Sequence, residues 1–181
     1  MEEGPTMAIA ADRLGQEASL ILVSEEAAAT AALGALIGKE ASGGETIALI
    51  GPLGAGKTCF VQGLAAGLGV LDRYINSPTF ILLQCYEGRL PLYHIDLYRL
   101  EREVEIEPLG FDEYFGGKGV VAIEWADKGT SILPPSRLTV TFHHTEEGRR
   151  EIELRAVGEN YIRWIDQIRK AGKWKILSDK R

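Results

Sequence analysis

Eight residues, Gly51-Pro52-Leu53-Gly54-Ala55-Gly56-Lys57-Thr58, limit what this chain can fold into more than any other segment. They follow Thr46-Ile47-Ala48-Leu49-Ile50, a short apolar run rich in β-branched residues that reads as a buried strand. A helix-compatible run from Lys57 to about Leu68 comes next and stops near Gly69. A glycine-rich turn in this setting lets backbone N–H groups point inward at an anion, which bulky Cβ atoms or disallowed dihedrals would prevent. Gly51, Gly54 and Gly56 supply that freedom. Lys57 then places a positive charge at the β/γ-phosphates of a nucleotide, and Thr58 gives a hydroxyl to Mg²⁺. The new helix aims its N-terminus at the same anion. Leu53, Ala55 and Cys59 complete the expected nucleotide contacts. By chance the four fixed positions would recur in on the order of one chain in a hundred, and the flanking strand and helix lower that further.

A phosphate loop needs a carboxylate for the magnesium shell and a polar group to orient water. Val120-Val121-Ala122-Ile123 is a second apolar strand, and Glu124 ends it, where a buried central strand delivers a side chain beside the loop. Asp96, in His94-Ile95-Asp96-Leu97-Tyr98-Arg99, is the other candidate, either for the metal through water or for the nucleophile. Lys57, Asp96 and Glu124 are thus the expected catalytic residues, and Thr58 and Glu124 the expected metal holders. Exchanging the roles of the two carboxylates fits the sequence nearly as well. Ser77-Pro78-Thr79-Phe80 lies where switch loops sense a γ-phosphate, although on these residues alone a plain Ser-Pro turn entering a strand is the favoured reading. Arg99 is an anion contact or an ion-pair partner, and Trp125 is core packing or a partner contact, with core the favoured reading.

The remaining chain supplies the frame. Residues 1–17 read as a variable leader, 18–158 as the nucleotide-binding domain, and 159–181 as a closing helix and basic tail of that domain. Ser19–Val23 reads as a strand, with Ser24 as the N-cap of a helix to about Ile37. Phe80–Tyr86 and Leu90–Tyr98 pair around Glu87-Gly88-Arg89, and Leu138–His143 and Glu151–Ala156 around Glu146-Glu147-Gly148. Acidic residues 101–113 lead into a helix ending at Tyr114-Phe115. Tyr161, Trp164, Ile165 and Ile168 mark one face of the closing helix. The expected fold class is α/β: a phosphate-loop domain whose mixed sheet has a parallel centre and antiparallel hairpins towards an edge, with helices on both faces.

Composition removes other classes. With 181 residues and 45% apolar content the chain buries one good core. A net charge of −6 argues against nucleic-acid binding through bulk charge. Two cysteines without metal-type spacing suit a reducing compartment. Ala27–Gly38 is too short to span a bilayer, so a cytosolic protein without membrane partners is expected. Residues 161–181 carry seven basic side chains against Asp166 and Asp179. They offer a weak tRNA contact or, more commonly for such runs, a solvated helix face.

Together these segments resemble the bacterial TsaE proteins, formerly YjeE. The likeness lies in Gly51–Thr58, Ser77–Phe80, His94-Ile95-Asp96-Leu97-Tyr98-Arg99-Leu100, Leu109–Phe115 and Ile123-Glu124-Trp125, across about residues 24–157. The block beginning at His94 is far more diagnostic than the phosphate loop. The resemblance implies a mixed-sheet ATPase, weakly active alone, that uses Mg²⁺ and works with TsaB and TsaD homologues. TsaD transfers a threonylcarbamoyl group to adenosine 37 of tRNAs reading codons that begin with A, so tRNA is met through that complex. It further implies that Lys57 and Thr58 bind nucleotide and Mg²⁺, that Glu124 is the Walker B acid, and that Asp96 is needed for hydrolysis. Ser77, Pro78, Thr79, Phe80, His94, Tyr98 and Arg99 match the family's switch-like segments. Cys59 departs from the usual Ser or Thr, which weakens one phosphate contact to a backbone N–H.

Two other readings compete. A small-molecule kinase would need a substrate pocket and an arginine-bearing lid, for which Arg99 and Arg102 are the only candidates and no lid-length insertion exists. A nucleotide-gated binding module would use Asp96 and Glu124 to tune affinity alone. GTP is disfavoured, since no Asn-Lys-x-Asp motif occurs.

Overall fold

The structure, a computed structural model, describes residues 16–72, 74–144 and 149–181. Most of the expected leader, and the hairpin tip Glu146-Glu147-Gly148, lie outside the described residues. Eight strands are described: β1 (Glu17–Ser24), β2 (Thr46–Ile50), β3 (Leu83–Tyr86), β4 (Leu92–Asp96), β5 (Val120–Glu124), β6 (Arg137–His144), β7 (Arg150–Val157) and β8 (Lys175–Lys180). Three α-helices join them: α1 (Ala27–Glu40), α2 (Lys57–Gly67) and α3 (Glu159–Ala171).

The strands form one sheet in the order β3-β4-β5-β2-β6-β7-β1-β8. The central strands β4, β5, β2 and β6 run parallel, which matches their continuous apolar runs. Antiparallel strands lie at both edges, β3 on one side and β7, β1 and β8 on the other, where the sequence suggested one edge. Alternate residues of the central strands serve two cores. Ile47, Leu49, Val120 and Ala122 pack with Leu33, Phe60, Leu64 and Trp164 of the three α-helices. Ala48, Val121, Ile123 and Ile95 pack with Ile106, Phe111 and Ala126 on the opposite face.

That opposite face is covered by 3₁₀ turns at Glu103–Glu105, Glu107–Leu109, Phe111–Tyr114 and Ala126–Ile132. The single helix expected before Tyr114-Phe115 is therefore broken into three. Pro108 removes a backbone donor, and Gly110 adopts φ +68°, which no continuing helix tolerates. Ser24 also needs correction. It is buried at the end of β1 and shares a 2.7 Å hydrogen bond with Thr30, while Glu26 occupies the N-cap of α1.

Helix α2 carries the phosphate loop at its start, so its position decides the geometry of the site. Gly34 and Gly38 of α1 lie against the backbone of Phe60, Leu64 and Gly67 of α2, and Gly63 and Gly67 of α2 against that of Ala31 and Ala35 of α1. A Cβ at Gly63 would lie 1.9 Å from the Ala31 carbonyl oxygen, and one at Gly34 would lie 2.1 Å from that of Phe60. Only glycine permits this approach, because backbone cannot yield as a side-chain end can. The β3–β4 turn closes the other end of α1. There the Arg89 guanidinium donates to the Gly38 and Ala41 carbonyls at 2.8 and 3.0 Å, satisfying orphan helix acceptors.

The closing helix buries Tyr161, Trp164, Ile165 and Ile168, as their spacing indicates. The basic tail differs from expectation: Lys175–Lys180 is an edge strand, β8, rather than a solvated helix face. Lysines on an edge strand oppose pairing with another chain. Arg169 binds Asp166 and Asp179, and Arg181 also reaches Asp166, so two of the seven basic side chains are locally matched.

Candidate functional site

Parallel strands bring their C-terminal ends to one side of a sheet, beside the loop that leaves β2. Asp96 ends β4 and Glu124 ends β5, and the two are register partners across the parallel ladder. Both share the side-chain parity of the helix-facing residues Leu92, Val120 and Ala122, so both carboxylates turn toward the start of α2. Asp96 is 1% exposed and Glu124 3%, which brings two carboxylates into the interior at the mouth of one cleft.

The loop residues take the conformations their types allow. Gly51, Gly54 and Gly56 sit at φ +147°, +74° and +112°, in the region that L side chains rarely enter. Lys57 is nearly buried. Its Nζ donates to the Gly51 and Pro52 carbonyls at 2.6 and 2.9 Å and lies 3.8 Å above the Trp125 ring. Burial draws the Lys57 ammonium below the ordinary lysine range, against the opposing pull of Glu124, Asp96 and Asp127. Such a cation is under-compensated and suited to a polyanion.

The Thr58 hydroxyl donates to Glu124, 2.8 Å from Oε1 and 3.1 Å from Oε2. His94 lies behind Glu124, fully buried, with Nε2 2.9 Å from Oε1. Its Nδ1 has no partner among the described residues. With the proton on Nε2, His94 donates to the carboxylate, and only a bare ring nitrogen stays unpaired. Asp96 is held by a different set. Its Oδ2 accepts from the hydroxyls of Ser77 and Thr79, and its Oδ1 from the Tyr98 N–H at 2.8 Å. The segment Ser77–Thr79 is thereby tied to the one carboxylate, and the loop threonine to the other.

The cleft is lined by Leu53 through Cys59, Ser77, Thr79, Asp96, Tyr98 and Glu124, so most of the residues singled out from sequence converge. Gly51, Pro78, Phe80, His94 and Arg99 do not line it. Gly51 and His94 act from behind. Phe80 is 84% exposed with the Arg99 guanidinium 5.0 Å from its ring centre, so both face outward at the rim. The Cys59 thiol donates to the Ala27 carbonyl at 3.2 Å, and burial pushes its pKa up. It therefore stays a neutral thiol turned to α1.

Two lining residues were not assigned to the site from sequence. Trp125 belongs to the cleft as well as to the core edge, and holds φ +58°, a strained value for an aromatic residue that keeps its ring over Lys57. Its place immediately after the strand-end acid was the available signal. Arg150, at the start of β7, donates from Nε to the Ala55 carbonyl at 2.9 Å.

The oxygen-only donors suit Mg²⁺, a hard cation that takes one or two protein ligands, several waters and substrate phosphates. Among the described residues no cluster of three His, Cys, Asp or Glu could hold a metal alone, so the ion would need the nucleotide's oxygens. No helix among those residues is long and apolar enough to cross a membrane.

Comparison with known proteins agrees with this geometry. A family model described as threonylcarbamoyl adenosine biosynthesis protein TsaE matches residues 24–152. The TsaE protein of Bacillus subtilis is 46% identical over 140 residues, covering 77% of this chain and 87% of that protein. That of Treponema pallidum is 45% identical over 132 residues, covering 73% and 97%. A crystal structure of Bacillus subtilis YdiB superposes with a TM-score of 0.74 at 35% identity, covering 86% of this chain and 97% of that one. The match takes in the phosphate loop, both carboxylates and the segment between them. This chain belongs to the TsaE family.

Proposed function

We propose that this protein is a Mg²⁺-dependent ATPase of the bacterial cytosol that supports threonylcarbamoyl transfer to adenosine 37 of tRNAs reading ANN codons. Its relatives carry the name of that pathway. In this reading the enzymes that it serves are TsaB and TsaD homologues, and tRNA is met through their complex. Lys57 and the loop N–H groups hold the triphosphate. Thr58 and Glu124 hold Mg²⁺, which when bound neutralises charge on the phosphoryl oxygens. Asp96, its carboxylate fixed by Ser77, Thr79 and Tyr98, orients the attacking water.

One observation carries this division of labour: the Thr58 hydroxyl sits on the Glu124 carboxylate at 2.8 Å, whereas Asp96 is bound to the Ser77–Thr79 segment. That favours Glu124 for the metal shell and Asp96 for the nucleophile. The test is phosphate release from ATP by the purified protein, alone and with its TsaB and TsaD homologues. Slow release that rises with the pair is expected. No stimulation by the cognate pair would sink the proposal, and transfer of ³²P from γ-labelled ATP to a metabolite would mark a kinase instead.

A further inference from the structure

We infer that Arg150 is a nucleotide-binding residue, a second phosphate cation at the end of the loop away from Lys57, reading the α-phosphate and ribose side rather than the γ-phosphate. The inference rests on the cleft being a nucleotide site, as proposed above.

The position of Arg150 is built by the sheet. It pairs with His144 at the open end of the β6–β7 ladder, and β6 lies next to β2, so its side chain reaches the loop that leaves β2. There it donates from Nε to the Ala55 carbonyl at 2.9 Å and lies along Gly56. A Cβ on Gly56 would be 3.0 Å from its Nε and 3.3 Å from its Cδ, so glycine is required here for the contact as well as for the backbone angle. Its positive charge is close enough to act on the Cys59 thiol. The two cations thus address different parts of the loop: Lys57 the Gly51 and Pro52 carbonyls and Trp125, Arg150 the Ala55–Cys59 side.

What sets Arg150 apart is an unmatched charge inside the cleft; among the described residues Arg89, Arg99, Arg137 and Arg163 also show no carboxylate partner, but none of them lines it. Arg102, Arg149, Arg155, Arg169 and Arg181 each have a carboxylate partner. Arg150 has none among the described residues, although it is only partly exposed and lines the cleft. With Nε committed to the loop, its terminal nitrogens are pre-oriented for a bidentate anion. Phosphate loops place the backbone N–H groups on the α/β-phosphates and the lysine on β/γ. Arg150 lies against Ala55, Gly56 and the Cys59 thiol, whereas Lys57 and Thr58, the latter bound to Glu124, serve the β/γ end, so the Arg150 side of the loop is the α end.

The experiment is calorimetric titration of ATP and ADP, with Mg²⁺, into the full chain, its Arg150→Ala variant and its Arg150→Lys variant, with melting temperatures measured without nucleotide. The α-phosphate is common to both nucleotides. The expected result is about a tenfold loss of affinity for ATP and ADP alike in Arg150→Ala, partial recovery in Arg150→Lys, and an unchanged melting temperature. Unaltered affinities would overturn the assignment, as would a loss confined to ATP, which would put the charge at the γ-phosphate. A lowered melting temperature with no recovery by lysine would reduce Arg150 to a brace for the loop. Wild-type protein that binds neither nucleotide would instead remove the nucleotide reading of the whole cleft.

Discussion

The parallel centre of the sheet and its antiparallel flank are built by different rules, and function follows the difference. In the centre, β4, β5 and β2 are buried on both faces, and their C-terminal ends converge on one cleft. Charged groups gather there at strand ends, Asp96, Glu124 and the loop, with His94 buried in β4 behind Glu124. On the flank, β7 and β1 alternate, with Leu20, Leu22, Ile152 and Leu154 inward and ion pairs such as Arg155–Glu17 outward, and β8 forms an exposed edge. The flank holds the fold through α3 and lends the cleft Arg150 from the start of β7, while the centre brings the two carboxylates and the loop. Arg150 turns to the cleft, but a polar residue on the outer face of the flank finds solvent or an exposed partner. One at the end of a central strand is buried, and only a site accounts for its cost.

Substitutions can break this separation. The largest effect is expected from Trp164→Ala, which empties a fully buried position on α3 and should cost about 4 kcal/mol of stability. Denaturant unfolding measures it, and the folded fraction should bind nucleotide with normal affinity. An altered ATP affinity would show that flank and centre are coupled. Gly63→Ala comes next, at about 3 kcal/mol, because its new methyl meets backbone on α1. Unlike Trp164→Ala, it should also weaken nucleotide binding, since α2 must shift. Lys57→Ala should reduce kcat/KM for ATP about 10²-fold with little loss of stability; normal ATP affinity in that variant would refute the phosphate loop's assigned role. The smallest effect belongs to Arg169→Ala, whose pairing with Asp166 and Asp179 on the flank is worth about 1 kcal/mol or less and leaves hydrolysis unchanged.

The same contrast explains what was legible in the sequence. Continuous apolar runs announced β2 and β5, and a strand's last residue is fixed by the run before it, so Glu124 could be placed from sequence. The phosphate loop is local in the chain and needs no long-range contact to be recognised. Asp96 was legible as a candidate, but its role was not: Ser77 and Thr79 reach it across a turn whose geometry, with Leu82 at φ +66°, has no simple sequence pattern. Arg150 was hidden for a stronger reason. It lies 95 residues from Ala55 and reaches the loop only through the β2–β6–β7 register, while in sequence Arg149-Arg150 looks like hairpin surface. Trp125 was legible in part: it packs at the core edge as expected, but its place over Lys57 follows from a positive φ that no sequence pattern announces. The 3₁₀ turns were misread because an acidic stretch leading to Tyr114-Phe115 reads as one helix, while Pro108 and Gly110 interrupt it. Strand β8 was missed because Lys175, Lys180 and their neighbours carry the charge of a solvated tail while pairing through backbone alone.

The central claim is that two neighbouring strand-end carboxylates make the cleft an ATP-hydrolysing switch, with Glu124 on the loop threonine and Asp96 on the Ser77–Thr79 segment. Phosphate release by Glu124→Gln in the presence of its TsaB and TsaD homologues, with ATP binding measured in parallel, tests it most directly. Release should fall about 10²-fold while ATP remains bound. Release at the wild-type rate from Glu124→Gln would contradict the claim.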